Sequence, residues 1–304
     1  MINPIYHKQA ELLLRILPIM MKIEEFALKG GTAINFFIRD LPRLSVDIDL
    51  CYLPIQDRAT SIEGIHNRLN QLKQEIVRLI HGTQATEVQN SELGTIKLII
   101  RWRGVSVKIE PNFVLRGAVF PIEEQELTKR AAELFELAAD CRTLSIQDLY
   151  GSKICAALDR QHPRDLFDIK LLLDNEGITN EIRQAFIVYL ISHPRSIADL
   201  LAPNQKEIGP TFENEFDGMT IDTVSIMELE EARESLVARI HDDLTNRERK
   251  FILSVKQGIP DWDLFGYSHI QDLPAVRWKL LNISRMGKTL HEKAVSKLRT
   301  ILEL

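Results

Sequence analysis

The chain has 304 residues, 45% of them hydrophobic, enough for a large buried core and at this length more than one domain. Its net charge of −5 and its three dispersed cysteines (Cys51, Cys141, Cys155) exclude a wholly polyanion-binding body, a disulfide framework and a CxxC zinc site. With no apolar run of the roughly 18 residues a membrane span needs, the expectation is a cytoplasmic protein without a membrane segment.

In chain order, "AELLLRILPIMMK" has helical periodicity and reads as an amphipathic opening helix, not a secretory leader. "GGTAINFFIRD" starts on a glycine pair and stops before Pro42, as a short helix does. "LSVDIDLCYL" alternates strictly and predicts a strand; "IEGIHNRLNQLKQEIVRLIHG" predicts a helix with a glycine stop. "GTIKLIIRWRGVSVKIEPNFV" predicts two strands joined near Arg103-Gly104, a hairpin with weak turn chemistry. Beyond Val119 strand signals nearly vanish, and helical periodicity runs from "EEQELTKRAAELFELAA" to the end, with a long loop expected over 203–220. The expected architecture is α+β: a mixed sheet flanked by helices over 1–122, then a mainly α-helical domain over 123–304.

Alternation puts Asp47 and Asp49 on one face of their strand with Ser45, while Val46, Ile48 and Leu50 turn to the core. Two adjacent carboxylates repel unless a cation lies between them, and a hard divalent ion shared with substrate phosphates is the usual solution. Gly30 and Gly31 open a helix whose first N–H groups lack partners, and without side chains they admit a phosphate closely. On the neighbouring strand Ser106, Lys108 and Glu110 share a face, and Glu110 is the only acid between Gly94 and Gly117.

In "LYGSKICAALDRQHPRDLFDIKLLL", Lys153 and Arg160 stand two helical turns apart. Pro163 starts a second helix, with Asp165 and Asp168 on one side. These side chains either bind phosphates through Lys153, Arg160 and Arg164 or brace a salt-bridged helical hairpin. Charge is also segregated. Residues 207–232 hold eight acids and no lysine or arginine; residues 277–299 hold seven bases and only Glu292 against them. The basic stretch either attracts a phosphate backbone or docks on the acidic segment.

A glycine pair, a short helix and Asp-hydrophobic-Asp on a strand resemble the DNA polymerase β-type nucleotidyltransferases. "GGT…RLSVDIDL", "KIE", "LYGSKICAALDRQHPRDLFDI" and "SVKQGIPDWDLFGYSHIQDLPAVRWKLLNI" together resemble the AbiEii/AbiGii toxins across nearly the whole chain. The resemblance implies a Mg²⁺-dependent nucleotidyltransferase toxin of a type IV toxin–antitoxin system, acting in phage defence or growth arrest. It would move a nucleotide from an NTP to an RNA acceptor, the tRNA 3′ end in relatives where one is identified. An AbiEi-like antitoxin, often a DNA-binding repressor, would be its partner. Carried over, Gly30, Gly31, Thr32, Ser45, Lys153, Arg160 and Arg164 bind nucleotide, and Asp47, Asp49 and Glu110 hold two Mg²⁺. Lys153, Asp165 and Asp168 complete the catalytic set, the helical domain bringing Lys153 and "RDLFD" to the cleft. Gly31 stands where many such enzymes have serine, which leaves the hydroxyl contact to Thr32. A protein or small-molecule acceptor, and a non-enzymatic binding module, are the competing readings.

Overall fold

The computed structural model describes residues 2–304. Its strands are β1 (Phe26–Lys29), β2 (Asp47–Tyr52), β3 (Gln84–Asn90), β4 (Gly94–Trp102), β5 (Val105–Asn112), β6 (Glu123–Glu126) and β7 (Asp140–Thr143). They form one sheet in the order β3-β4-β5-β2-β1-β7-β6, mixed as expected: β2/β5 and β1/β7 are parallel and the other pairs antiparallel. The helices that serve the sheet are α1 (Pro4–Met20), α2 (Gly30–Ala33), α3 (Arg58–Leu79) and α4 (Lys129–Phe135). The rest of the chain is α5 (Ile146–Arg160), α6 (Pro163–Asp174), α7 (Asn180–Ser192), α8 (Ile197–Leu201), α9 (Gly209–Glu215), α10 (Ile226–Asp243), α11 (Asn246–Gln257), α12 (Pro274–Ser284) and α13 (Lys288–Ile301).

The chain divides into two compact units, Met1–Leu149 with Phe216–Thr223, and Tyr150–Glu215 with Val224–Leu304. The first unit therefore runs past the residue 122 expected from sequence, because β6 and β7 extend its sheet. "EEQE" carries no apolar alternation, yet it makes an edge strand on β7; a charged edge is how sheets discourage further pairing. The helix expected across this stretch shrinks to α4, which left-handed Glu136 (φ 51°) stops. Nor is 203–220 all loop: it holds α9, and its end returns to the first unit, where the Leu44 N–H donates to the Met219 carbonyl at 2.8 Å.

In the first unit, buried residues of α1 (Leu13, Leu17) and α3 (Leu69, Leu72, Ile76) pack against the sheet face bearing Leu98, Ile100, Val107 and Ile109. That leaves the other side-chain parity of β2, β4 and β5 as the polar face. The Arg103-Gly104 hairpin forms as expected. Both residues have positive φ (47° and 82°), the type I′ pattern that matches strand twist, and the Arg103 guanidinium lies 4.3 Å above the Trp102 ring.

In the second unit α10 packs on α6, and α11 and α12 pack on α7. Capping boxes (Ser225 with Glu228, Thr245 with Glu248) start α10 and α11, and left-handed Gly258 ends α11. Gly151 of α5 lies so close to α7 that a Cβ there would come within 2.7 Å of the Phe186 backbone nitrogen. Of the seven C-terminal bases, Arg277 pairs with Asp272 and Lys297 with Asp199; none pairs with an acid of 207–232.

Candidate active site

β1 runs straight into α2, and Gly30 makes the corner with φ +73°. A Cβ on Gly30 would lie 2.5 Å from Asp49 Oδ2, so only glycine lets the corner close over that carboxylate. A Cβ on Gly31 would lie 2.5 Å from an Arg43 guanidinium nitrogen and 3.4 Å from Ser45 Oγ. Arg43 is 1% exposed and donates to the Leu44 carbonyl at 2.9 Å. Thr32, also buried, bridges Ser45 Oγ (2.9 Å) and the Asp47 carbonyl (2.5 Å), and Asn35 donates to the Gly31 carbonyl at 2.9 Å. The Thr32 hydroxyl thus ties the start of the helix to the start of β2. The helix runs on through a five-residue π-turn, Ile34–Ile38, which buries Ile34, Phe36 and Phe37.

Register decides what gathers beside Asp49. Lys29 of β1 is its cross-strand neighbour on one side and Glu110 of β5 on the other. Asp47 pairs with Lys108. Glu110 in turn bonds the Lys97 ammonium of β4 at 2.9 Å, so Lys97, not Lys108, neutralises it. The row across the face reads Lys29, Asp49, Glu110, Lys97, with Asp47 one step along β2. Gly30, Gly31, Thr32, Ser45, Asp47, Asp49 and Glu110 lie together in this unit. Lys29, Arg43 and Lys97 were not singled out from sequence; the "KGG" stretch points to Lys29, but finding Lys97 requires the β4–β5 register.

A divalent ion fits this face through part of the expected set. Among the described residues no three His, Cys, Asp or Glu side chains stand together as a metal-holding group, and Glu110 is ion-paired with Lys97. Asp47 and Asp49 are two hard-oxygen donors on one strand face beside the glycine cradle. This suits an ion that completes its shell with substrate phosphates and water.

The second motif makes a cluster within its own unit. The Lys153 ammonium lies 2.9 Å from both Asp165 and Asp168, and these three side chains are 6%, 2% and 0% exposed. Arg160 grips Asp165 with two nitrogens, at 2.6 and 3.1 Å. Burial alone would raise the Asp165 carboxyl, but Lys153 and Arg160 outweigh it and hold the group well below the usual carboxylate range. His162 caps α6 by accepting from the Arg164 N–H at 3.1 Å and pairs with Glu215 at 3.1 Å. The side chains thus adopt the salt-bridged arrangement anticipated as one of the two readings of this stretch.

With this geometry in view, the comparisons are informative. The model of the family described as nucleotidyl transferase AbiEii toxin, type IV TA system, matches residues 11–281. Among solved structures the fold is similar to MenT4, a nucleotidyltransferase toxin from Mycobacterium tuberculosis H37Rv. The two share 12% identity at a TM-score of 0.63, over 91% of this chain and 92% of that one. No curated protein matches the sequence.

Proposed function

The chain belongs to the AbiEii nucleotidyltransferase toxin family of type IV toxin–antitoxin systems, and from that premise we propose that it transfers a nucleotide from a bound NTP to a hydroxyl of an RNA acceptor, the tRNA 3′ end. The observation that carries the reading is the Asp49–Glu110 register on the face that also holds Asp47, closed at one end by the Gly30 corner. Gly30 and Gly31 give the triphosphate a backbone surface without Cβ atoms. Lys29, beside Asp49, supplies a positive charge for the leaving phosphates. Asp47 and Asp49 would hold Mg²⁺, which would supply charge withdrawal from the phosphates. The acceptor oxygen attacks that phosphorus, the bond to the β-phosphate oxygen breaks, and pyrophosphate leaves. Glu110, fixed by Lys97, takes the hydroxyl proton.

Lys153 enters as a further phosphate-directed charge, carried over from the family motif. Its ammonium is shared by Asp165 and Asp168, so Lys153→Met should lower stability together with turnover. Membership in the family implies a partner antitoxin; the AbiEi-like repressor and a cytoplasmic setting belong to the proposal. No helix of the described residues is long and apolar enough to cross a membrane.

The test is a panel of α-labelled NTPs incubated with Mg²⁺ and fractionated cellular RNA, followed by separate nuclease and protease digestion. Label that enters the tRNA fraction and is released by nuclease supports the reading. Label that survives nuclease and is lost to protease moves the acceptor to a protein.

A further inference from the structure

The sheet face that carries the acids continues, away from Asp49, into bases that the reaction does not use. Along β5, Lys108 and Ser106 follow Glu110 at two-residue steps of about 7 Å on the same side. Lys108 is cross-strand from Asp47 and Ile99, and Ser106 from Arg101 of β4. Arg101 is in turn opposite Gln84 of β3. The row ends at an open pocket of about 380 Å³ around the hairpin tip, lined by Gln84, Arg101 and Ser106 together with Gly82 and residues 102–105 of the tip.

Lys108 and Arg101 are exposed, and no carboxylate of the described residues lies within ion-pairing distance of either. Arg101 donates to the Thr86 hydroxyl at 3.0 Å, and the Lys108 side chain makes no polar contact with the described residues. Arg103, at the hairpin tip, stacks on Trp102 and so turns to the helix-covered side of the sheet. Elsewhere on this face the lysine next to an acid is neutralised, as Lys97 is by Glu110.

We infer that Lys108 and Arg101, with the Ser106 hydroxyl and the pocket at the end of the row, form a binding track for successive backbone phosphates of a single-stranded polynucleotide whose end lies at Asp49 and Glu110. The inference rests on the proposed reaction and adds to it the place where the acceptor strand is held. Two bases set apart on adjacent strands with a hydroxyl beside them, rather than gathered at one point, match a chain of phosphates better than a single phosphate ion. Arginine provides the planar fork suited to phosphate oxygens, and a pocket with two glycines admits the backbone closely.

The experiment measures binding of a labelled single-stranded RNA oligonucleotide by fluorescence anisotropy across a salt series. It compares the wild-type chain with the variant Arg101→Gln, Lys108→Gln. Both positions are exposed, so the fold stays intact, checked by circular dichroism. With about 0.7 in the log–log salt slope per phosphate contact on a single strand, loss of two contacts flattens the slope by about 1.4. Binding of a labelled NTP stays at the wild-type level. An unchanged RNA slope overturns the track. So does a variant that loses affinity for polyglutamate but not for RNA, which assigns the face to an acidic protein, or one whose loss is reproduced with inorganic phosphate alone. Asp49→Asn separates the two proposals. If it keeps the RNA slope and abolishes label transfer, both stand; if the wild-type chain binds RNA along the track but transfers no nucleotide, the reaction fails and the track survives.

Discussion

Replacing Gly30 with alanine tests how tightly the glycine corner and the carboxylate are coupled. Gly30 has φ +73°, where an L-residue pays about 1–2 kcal/mol of backbone strain. The added Cβ would lie 2.5 Å from Asp49 Oδ2 and 3.3 Å from Asp49 Cβ and Cγ, about half an ångström inside the 3.0 Å that real Cβ contacts respect. Since the clash falls on the strand side chain down to its Cβ, rotating the carboxylate does not relieve it fully and the Asp49 group must shift. A displacement on the order of 1 Å in a positioned catalytic group lowers turnover by about 10²-fold. The assay is label transfer at saturating NTP and Mg²⁺, with urea unfolding run in parallel. Gly177→Ala is the control: its φ is +68° with nothing within 4 Å, so it bears the backbone strain alone. The expected result is a comparable loss of stability in both variants and a large loss of turnover only in Gly30→Ala. Equal turnover in the two would refute the argument that Gly30 is there for Asp49.

Asp168→Ala leaves the buried Lys153 ammonium with one of its two carboxylates, and destabilises by about 3–5 kcal/mol in urea unfolding; adding Lys153→Met recovers part of that loss. Asp165 has a strongly depressed folded value, so its stabilisation is complete above the unfolded value near 3.8 and is lost progressively as pH falls from there toward the folded one. The stability gap between wild type and Asp165→Asn, measured by unfolding from pH 7 down to 3, should therefore hold steady and then begin to narrow below about pH 4. Burial pushes the thiol of Cys51 up to about 11 and that of Cys141 up to about 12, and raises Cys155 as well. All three are buried, so a colorimetric thiol reagent at pH 8 should count none quickly in the folded chain and three after denaturation.

Much of the site was legible because strand alternation is a strict rule. Asp47 and Asp49 had to share a face, and so did Lys108 and Glu110, wherever the strands lay. What alternation cannot give is which strand lies beside which. Lys29 and Lys97 acquire meaning only once β1 and β5 flank β2 and β4 flanks β5, since both lysines are ordinary in their own segments. Arg43 was hidden for a similar reason: a charged residue beside Pro42 reads as surface, yet it is buried against the Gly31 turn. The unrecognised strands share a physical cause too. β1, β6 and β7 have only four residues each, and "QATEVQN" of β3 is a polar edge with almost no apolar signal. The helical hairpin was legible as two charged helices with two readings open, because which base meets which acid depends on side-chain packing around Lys153.

The central claim is that the Asp47 and Asp49 carboxylates organise a nucleotide for transfer. Its most direct measurement is the rate at which α-labelled NTP is incorporated into RNA with Mg²⁺ by the wild-type chain, Asp47→Asn and Asp49→Asn, each first shown to unfold at the wild-type urea midpoint. The account predicts incorporation by the wild-type chain and none above background by either variant. Incorporation persisting at the wild-type rate in the variants would contradict it.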